Sequence, residues 1–131
     1  MPSESVICIL YVGVSEEKFN LFNLIIRSVA SVTSLRLAAV RRETFSDAAD
    51  FISTNRRVGL VFIGNDFSIP EDELTAECEQ LATVIARQPQ RSQVVTYDQR
   101  MTRLHKIFRG AGVEVSSEPV LMAVERTFRT A

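Results

Sequence analysis

Val6-Ile7-Cys8-Ile9-Leu10-Tyr11-Val12 is an unbroken apolar run, and Gly13-Val14-Ser15-Glu16-Glu17 comes directly after it. A strand with one wet face alternates apolar and polar residues. A run with no alternation suits a strand buried on both faces, as in a parallel sheet covered by helices. Ser15 can cap a helix starting at this point, and Glu16 and Glu17 suit the positive end of a helix dipole. Phe19, Phe22, Ile25, Ile26 and Val29 then recur at helical spacing, while Lys18, Asn20, Asn23 and Arg27 occupy much of the other face. The first unit is therefore a buried strand and then an amphipathic helix.

The same unit repeats outward along the chain. Residues 35–40 read as a strand, and Thr44 or Ser46 can start a short helix through Ala48, Ala49, Phe51 and Ile52. Residues 58–63 form a second solid apolar run. Ser68 with Glu71 fits a capping box, and Pro70 fits the first turn of a helix that buries Leu74, Cys78, Leu81 and Ile85. The exposed start of that helix is acidic: Glu71, Asp72, Glu73, Glu77 and Glu79. Pro89 ends it, and residues 94–97 form a fourth strand. Met101, Leu104, Ile107 and Phe108 mark a fourth helix that ends at Gly110. Residues 113–115 form a fifth strand, and Val120, Leu121, Val124 and Phe128 mark a last helix. Five strand–helix units predict an α/β, flavodoxin-like (βα)5 three-layer sandwich. Its parallel five-stranded sheet has the order 2-1-3-4-5, in one domain over residues 1–131.

Composition narrows the function classes. The chain has 131 residues, 46% hydrophobic and 24% charged, with 15 basic and 16 acidic residues for a net charge of -1. That balance argues against a dedicated nucleic-acid binder. The apolar run Val6 to Val14 lacks the flanks of a signal peptide and is too short to span a bilayer, so a cytoplasmic protein is expected. Cys8 and Cys78 lie within apolar patterns and read as small buried hydrophobes of a reducing compartment. Two cysteines and one histidine give little support to a metal site, and neither a metal nor a cofactor is expected.

The segment Ser116-Ser117-Glu118-Pro119, just beyond Gly110-Ala111-Gly112, resembles the closing segment of bacterial response-regulator receiver domains. In that family a glycine–alanine pair ends the fourth helix, and a lysine–proline pair comes after the fifth strand. Here the lysine position reads Glu118. The resemblance runs over essentially the whole chain. It puts Gly13 and Val14 where receivers hold magnesium with an acidic pair, and Gly64 where they carry the phosphate-accepting aspartate. A slip of two residues would instead bring Glu16 and Glu17 to the metal position. Asp66, two residues after Gly64, reads as a turn residue carried away from that position. Thr96 matches the family's hydroxyl residue after the fourth strand. Val115 stands where many receivers have a switch aromatic.

The resemblance implies a pseudo-receiver: a protein-interaction and signalling module, of the two-component kind, that accepts no phosphate. In receivers the fourth helix, fifth strand and last helix commonly dimerise or meet partners. Here the fourth helix carries Arg100, Arg103, Lys106 and Arg109. The acidic start of the third helix offers an electrostatic complement in another subunit. A second reading is a nucleotide- or flavin-binding protein on the same scaffold, against which stands the absence of any G-x-G-x-x-G or P-loop pattern. His105 lies in the fourth helix, away from the strand ends. With no Ser-His or Cys-His constellation, the chain is expected not to be an enzyme.

Overall fold

The two solid apolar runs become adjacent strands, as double-sided burial requires. In the computed structural model, which describes residues 6–30, 36–54, 58–88, 93–96 and 102–117, β1 (Val6–Val12) pairs in parallel with β2 (Arg36–Arg42) on one side and β3 (Val58–Ile63) on the other. β4 (Gln93–Thr96) pairs with β3. Helices α1 (Glu16–Ala30), α2 (Phe45–Thr54), α3 (Glu71–Ala86) and α4 (Thr102–Gly110) alternate with the strands. The chain thus has an α/β fold of flavodoxin-like kind, with parallel strands in the order 2-1-3-4. Beyond β4, the three residues of β5 (Val115–Ser117) pair with it in parallel. The expected last helix lies outside the described residues. Among those residues, no helix is long and apolar enough to cross a membrane.

Successive residues of β1 and β3 face opposite layers. Leu10, Val12, Val61 and Ile63 join a core roofed by Ala48, Ile52, Leu74, Leu81, Leu104 and Phe108 of α2, α3 and α4. Ile9, Tyr11, Leu60 and Phe62 join a second core on the other side, with Ile26 of α1. Both faces of each strand are apolar because both are covered. Leu21 and Leu24, which lie off the predicted α1 stripe, are exposed.

Several boundaries differ from the expectation for physical reasons. β2 runs on through Arg41 and Arg42, which pair in register with Tyr11 and Val12. An edge strand tolerates such residues because their long side chains reach outward. Arg41 donates to the Val14 carbonyl at 3.3 Å, and the Arg42 guanidinium lies over the Phe51 ring at 5.0 Å. β5 begins two residues later than predicted because Val113 is used to end α4. Its N–H donates to the Phe108 carbonyl at 2.8 Å, and Gly112 takes the left-handed turn at φ 85°. The capping box is also corrected. Pro70 stands at the N-cap of α3 without a side-chain cap, and Ser68 has φ 54°. Asn65 organises this loop instead: it accepts from the Ile69 N–H at 3.0 Å and donates to the Ile69 carbonyl at 2.7 Å. The start of α2 does use Thr44, whose hydroxyl accepts from the Asp47 N–H at 3.1 Å.

The second core is aromatic and contains one misfit. The Tyr11 ring stacks on Phe62 at 5.2 Å and meets Phe19 edge-on at 5.2 Å, with Phe22 at 6.1 Å. Among the described residues its buried hydroxyl has no hydrogen-bond partner, and burial pushes the phenol well above its ordinary pKa. Such an orphan group costs about 1–3 kcal/mol. Tyr11→Phe is therefore expected to raise unfolding stability by roughly 1 kcal/mol, read from urea denaturation. A loss of stability would show that the hydroxyl has a favourable role.

Candidate functional site

In an open parallel sheet, ligands meet the carboxyl ends of the strands where the strand order reverses. Here that place is the edge shared by β1 and β3. Val12, Ile63 and Thr96 stand side by side in register there, so Gly13 and Gly64 leave the sheet together. The Gly64 N–H donates to the Val12 carbonyl at 2.9 Å, and the Gly13 N–H donates to the Arg42 carbonyl at 3.1 Å. Gly13 has φ 68°, and a Cβ built on it would lie 2.2 Å from the Gly64 carbonyl oxygen. Two backbones thus occupy the space where side chains would otherwise stand. Val14, the next residue, is fully buried in the aromatic core. Glu16 and Glu17 are exposed in the first turn of α1.

Asp66 departs from the expectation. Its carboxylate is not carried away from the edge but folds back onto it. The Asp66 N–H donates to the Gly13 carbonyl at 3.0 Å, which anchors the residue beside β1. One carboxylate oxygen accepts from the Ser15 N–H at 2.6 Å, and the other lies 2.9 Å from the Lys18 ammonium. The side chain is 8% exposed against 48% for Lys18. The correction has a local cause. The turn after β3, closed by the Ser68 N–H on the Asn65 carbonyl at 3.1 Å, is held by Asn65, so Asp66 is released to bond across the edge.

Sequence reasoning missed this cluster, although a signal was present. Lys18 lies in the first turn of α1, where a cation opposes the helix dipole. Such a residue calls for a nearby anion, and the structure supplies one from 48 positions away.

The remaining candidates fall in separate places. Thr96 is buried, and its hydroxyl donates to the Ile63 carbonyl at 2.9 Å, so that proton is used inside the sheet. Val115 is half-buried against the core. Glu118 and Arg100 lie outside the described residues. On α4, Arg103, Lys106 and Arg109 are exposed, whereas Leu104 and Phe108 are buried. Arg103 forms an ion pair with Asp72 of α3. Asp72 is one residue of the acidic start of α3, where Glu73 and Glu79 are exposed as well. Lys106 lines a shallow groove of about 450 Å³ between α3 and α4, with Glu79, Ala82, Thr83, Ile107 and Ala111. His105, also on α4, is half-buried, and its Nε2 has no partner among the described residues.

Neither cysteine is poised for chemistry. Burial raises the Cys8 thiol and pushes Cys78 up to about 12, with Glu79 and Glu71 adding to the latter shift. Both stay protonated near neutral pH, where the nucleophilic thiolate is scarce. Among the described residues, no group of three or more His, Cys, Asp or Glu is placed to hold a metal ion.

No protein-family model and no curated protein matches the chain. Among solved structures, it is similar to the type II dehydroquinase from Butyrivibrio crossotus DSM 2876. The TM-score is 0.51 at 7% identity, over 97% of this chain and 99% of that one. The likeness is one of fold. It nonetheless overturns the expectation that the chain is not an enzyme. A fold that carries catalysis in its neighbour cannot be read as non-catalytic because receiver chemistry is missing.

Gly13→Ala is expected to destabilise the protein by more than roughly 2 kcal/mol, combining left-handed strain with the collision at Gly64. Urea denaturation measures this. A change below about 0.5 kcal/mol, the range of ordinary surface substitutions, would mean that the two loops separate freely.

Proposed function

We propose that this chain is a receiver-like module that engages a protein partner without accepting phosphate. In this reading the sheet is completed as 2-1-3-4-5. The observation that carries it is the Gly13–Gly64 contact. A receiver needs an acidic pair and an acceptor carboxylate at these positions, and here neither residue has a side-chain oxygen. Phosphoryl transfer to Gly64 has no nucleophile, and a hard cation has no ligand there. The Asp66 carboxylate, two residues beyond Gly64, is held by Ser15 and Lys18.

With the phosphorylation edge closed, partner recognition falls to the helical surface. α4 supports this because one face is anchored in the core by Leu104 and Phe108, while Lys106 and Arg109 project from the other. Arg103 is engaged with Asp72, so Lys106 and Arg109 are the better candidates on this helix. They suit an acidic surface on a partner protein or on a second copy that also uses β5 and the last helix. The setting in this reading is a cytoplasmic signalling pathway of the two-component kind.

Two measurements test this reading. Acetyl phosphate or beryllofluoride with magnesium is expected to leave the protein unchanged by mass spectrometry and thermal melting. Acid-labile phosphate at Asp66 would refute the phosphate-independent reading. Lys106→Glu with Arg109→Glu is expected to shift stability by less than about 0.5 kcal/mol. The same change is expected to weaken capture of partners, and the wild-type interaction should weaken with salt, since exposed charges are screened beyond about 10 Å at 0.1 M. Leu104→Asp is expected to unfold the domain by placing an unpaired carboxylate in the core. Wild-type binding by the charge-reversed protein would exclude α4 as the contact face.

A further inference from the structure

We propose that Asp66 is a built-in anionic ligand, seated at the start of α1, that latches the β1–α1 and β3–α3 loops together. Three observations converge on this. First, the donors at this place are those that receive an oxyanion: a backbone N–H at a helix start, from Ser15, and an ammonium, from Lys18, at the positive end of a helix of 15 residues. Second, the carboxylate that meets them is almost fully withdrawn from water, with 8% of its side chain exposed. A carboxylate is withdrawn that far at large expense unless charge-assisted bonds receive it, and here each oxygen has one. Third, the backbone is shaped to deliver it. The left-handed Gly13 and its contact with Gly64 bring the two loops close enough for the Asp66 N–H to reach the Gly13 carbonyl.

The consequence is a closed crevice. The point where strand order reverses is where sheets of this kind ordinarily admit ligands. In this chain the position is filled from within by a residue 51 positions from Ser15. The loops therefore hold one arrangement without an external anion, and anything entering between β1 and β3 must first displace the carboxylate from Ser15 and Lys18. The latch does not depend on which surface meets a partner, so its test is independent of the α4 reading.

The test measures amide exchange by NMR in the full chain, with inorganic phosphate as the probe. In Asp66→Ala, the Ser15 N–H is expected to exchange at least roughly tenfold faster than in wild type, the scale of losing a charge-assisted bond. Core amides such as Val61 should keep their protection. Lys18→Ala should also speed Ser15 exchange, and the double variant should be no faster than Asp66→Ala alone, because the two side chains act as one unit. Millimolar phosphate should restore protection of Ser15 in Asp66→Ala but not in wild type or the double variant. Should Asp66→Ala fail to fold, Asp66→Asn keeps the shape while removing the charge. It should lose the coupling to Lys18. Unchanged Ser15 protection in the Asp66 variant that folds, or additive effects of Lys18 and Asp66, would overturn the latch. A phosphate response in wild type equal to that of Asp66→Ala, or no response in Asp66→Ala, would overturn the role of the carboxylate as an internal oxyanion.

Discussion

Gly13 and Gly64 meet backbone to backbone at the carboxyl edge of the sheet, and much of the molecule near that edge depends on their contact. Any side chain on Gly13 would strike the Gly64 carbonyl. With none, the β1–α1 loop bonds to β2 through the Gly13 N–H and to the β3–α3 loop through its carbonyl. Three segments are joined at one residue. The start of α1 and the position of Asp66 are set by that junction.

The same closeness limits what this edge can hold, as a matter of space as well as residue type. A metal site needs several oxygen ligands converging on a cavity. Here the convergence is of peptide groups already bonded to one another. The carboxylate that does arrive, from Asp66, finds a lysine and an amide rather than a cation held by acidic ligands. The site has the electrostatic logic of an anion cradle, with the anion supplied by the chain.

The helical layers are organised by a different constraint, the burial of β1 and β3 on both faces. α2, α3 and α4 cover one face and α1 covers part of the other. Anchoring α4 through Leu104 and Phe108 turns Lys106 and Arg109 outward. The ion pair between Arg103 and Asp72 ties α4 to the start of α3 within one chain. One neighbour in fold is a type II dehydroquinase at 7% identity. A layered α/β scaffold can carry unrelated functions, so function has to be argued from the residues that stand at its edge.

The sequence by itself determined the α/β class and the parallel order of the first four strands. The class rests on local quantities, namely solid apolar runs for strands buried twice, helical spacing for helices covered once, and breakers between them, whereas the order follows from the usual topology of such alternating folds. It also determined that Gly13 and Gly64 bring no carboxylate, since that is a matter of residue identity. Tertiary structure decided where Asp66 goes, because its bonds to Ser15 and Lys18 span 51 and 48 positions and no local pattern encodes such a meeting. It likewise decided that Asn65 rather than Ser68 organises the loop before α3, and that Arg103 is paired within the chain. Periodicity reports which face of an element is buried. Which charges then lie within reach of one another depends on how the elements are stacked, and only the folded chain brings them together.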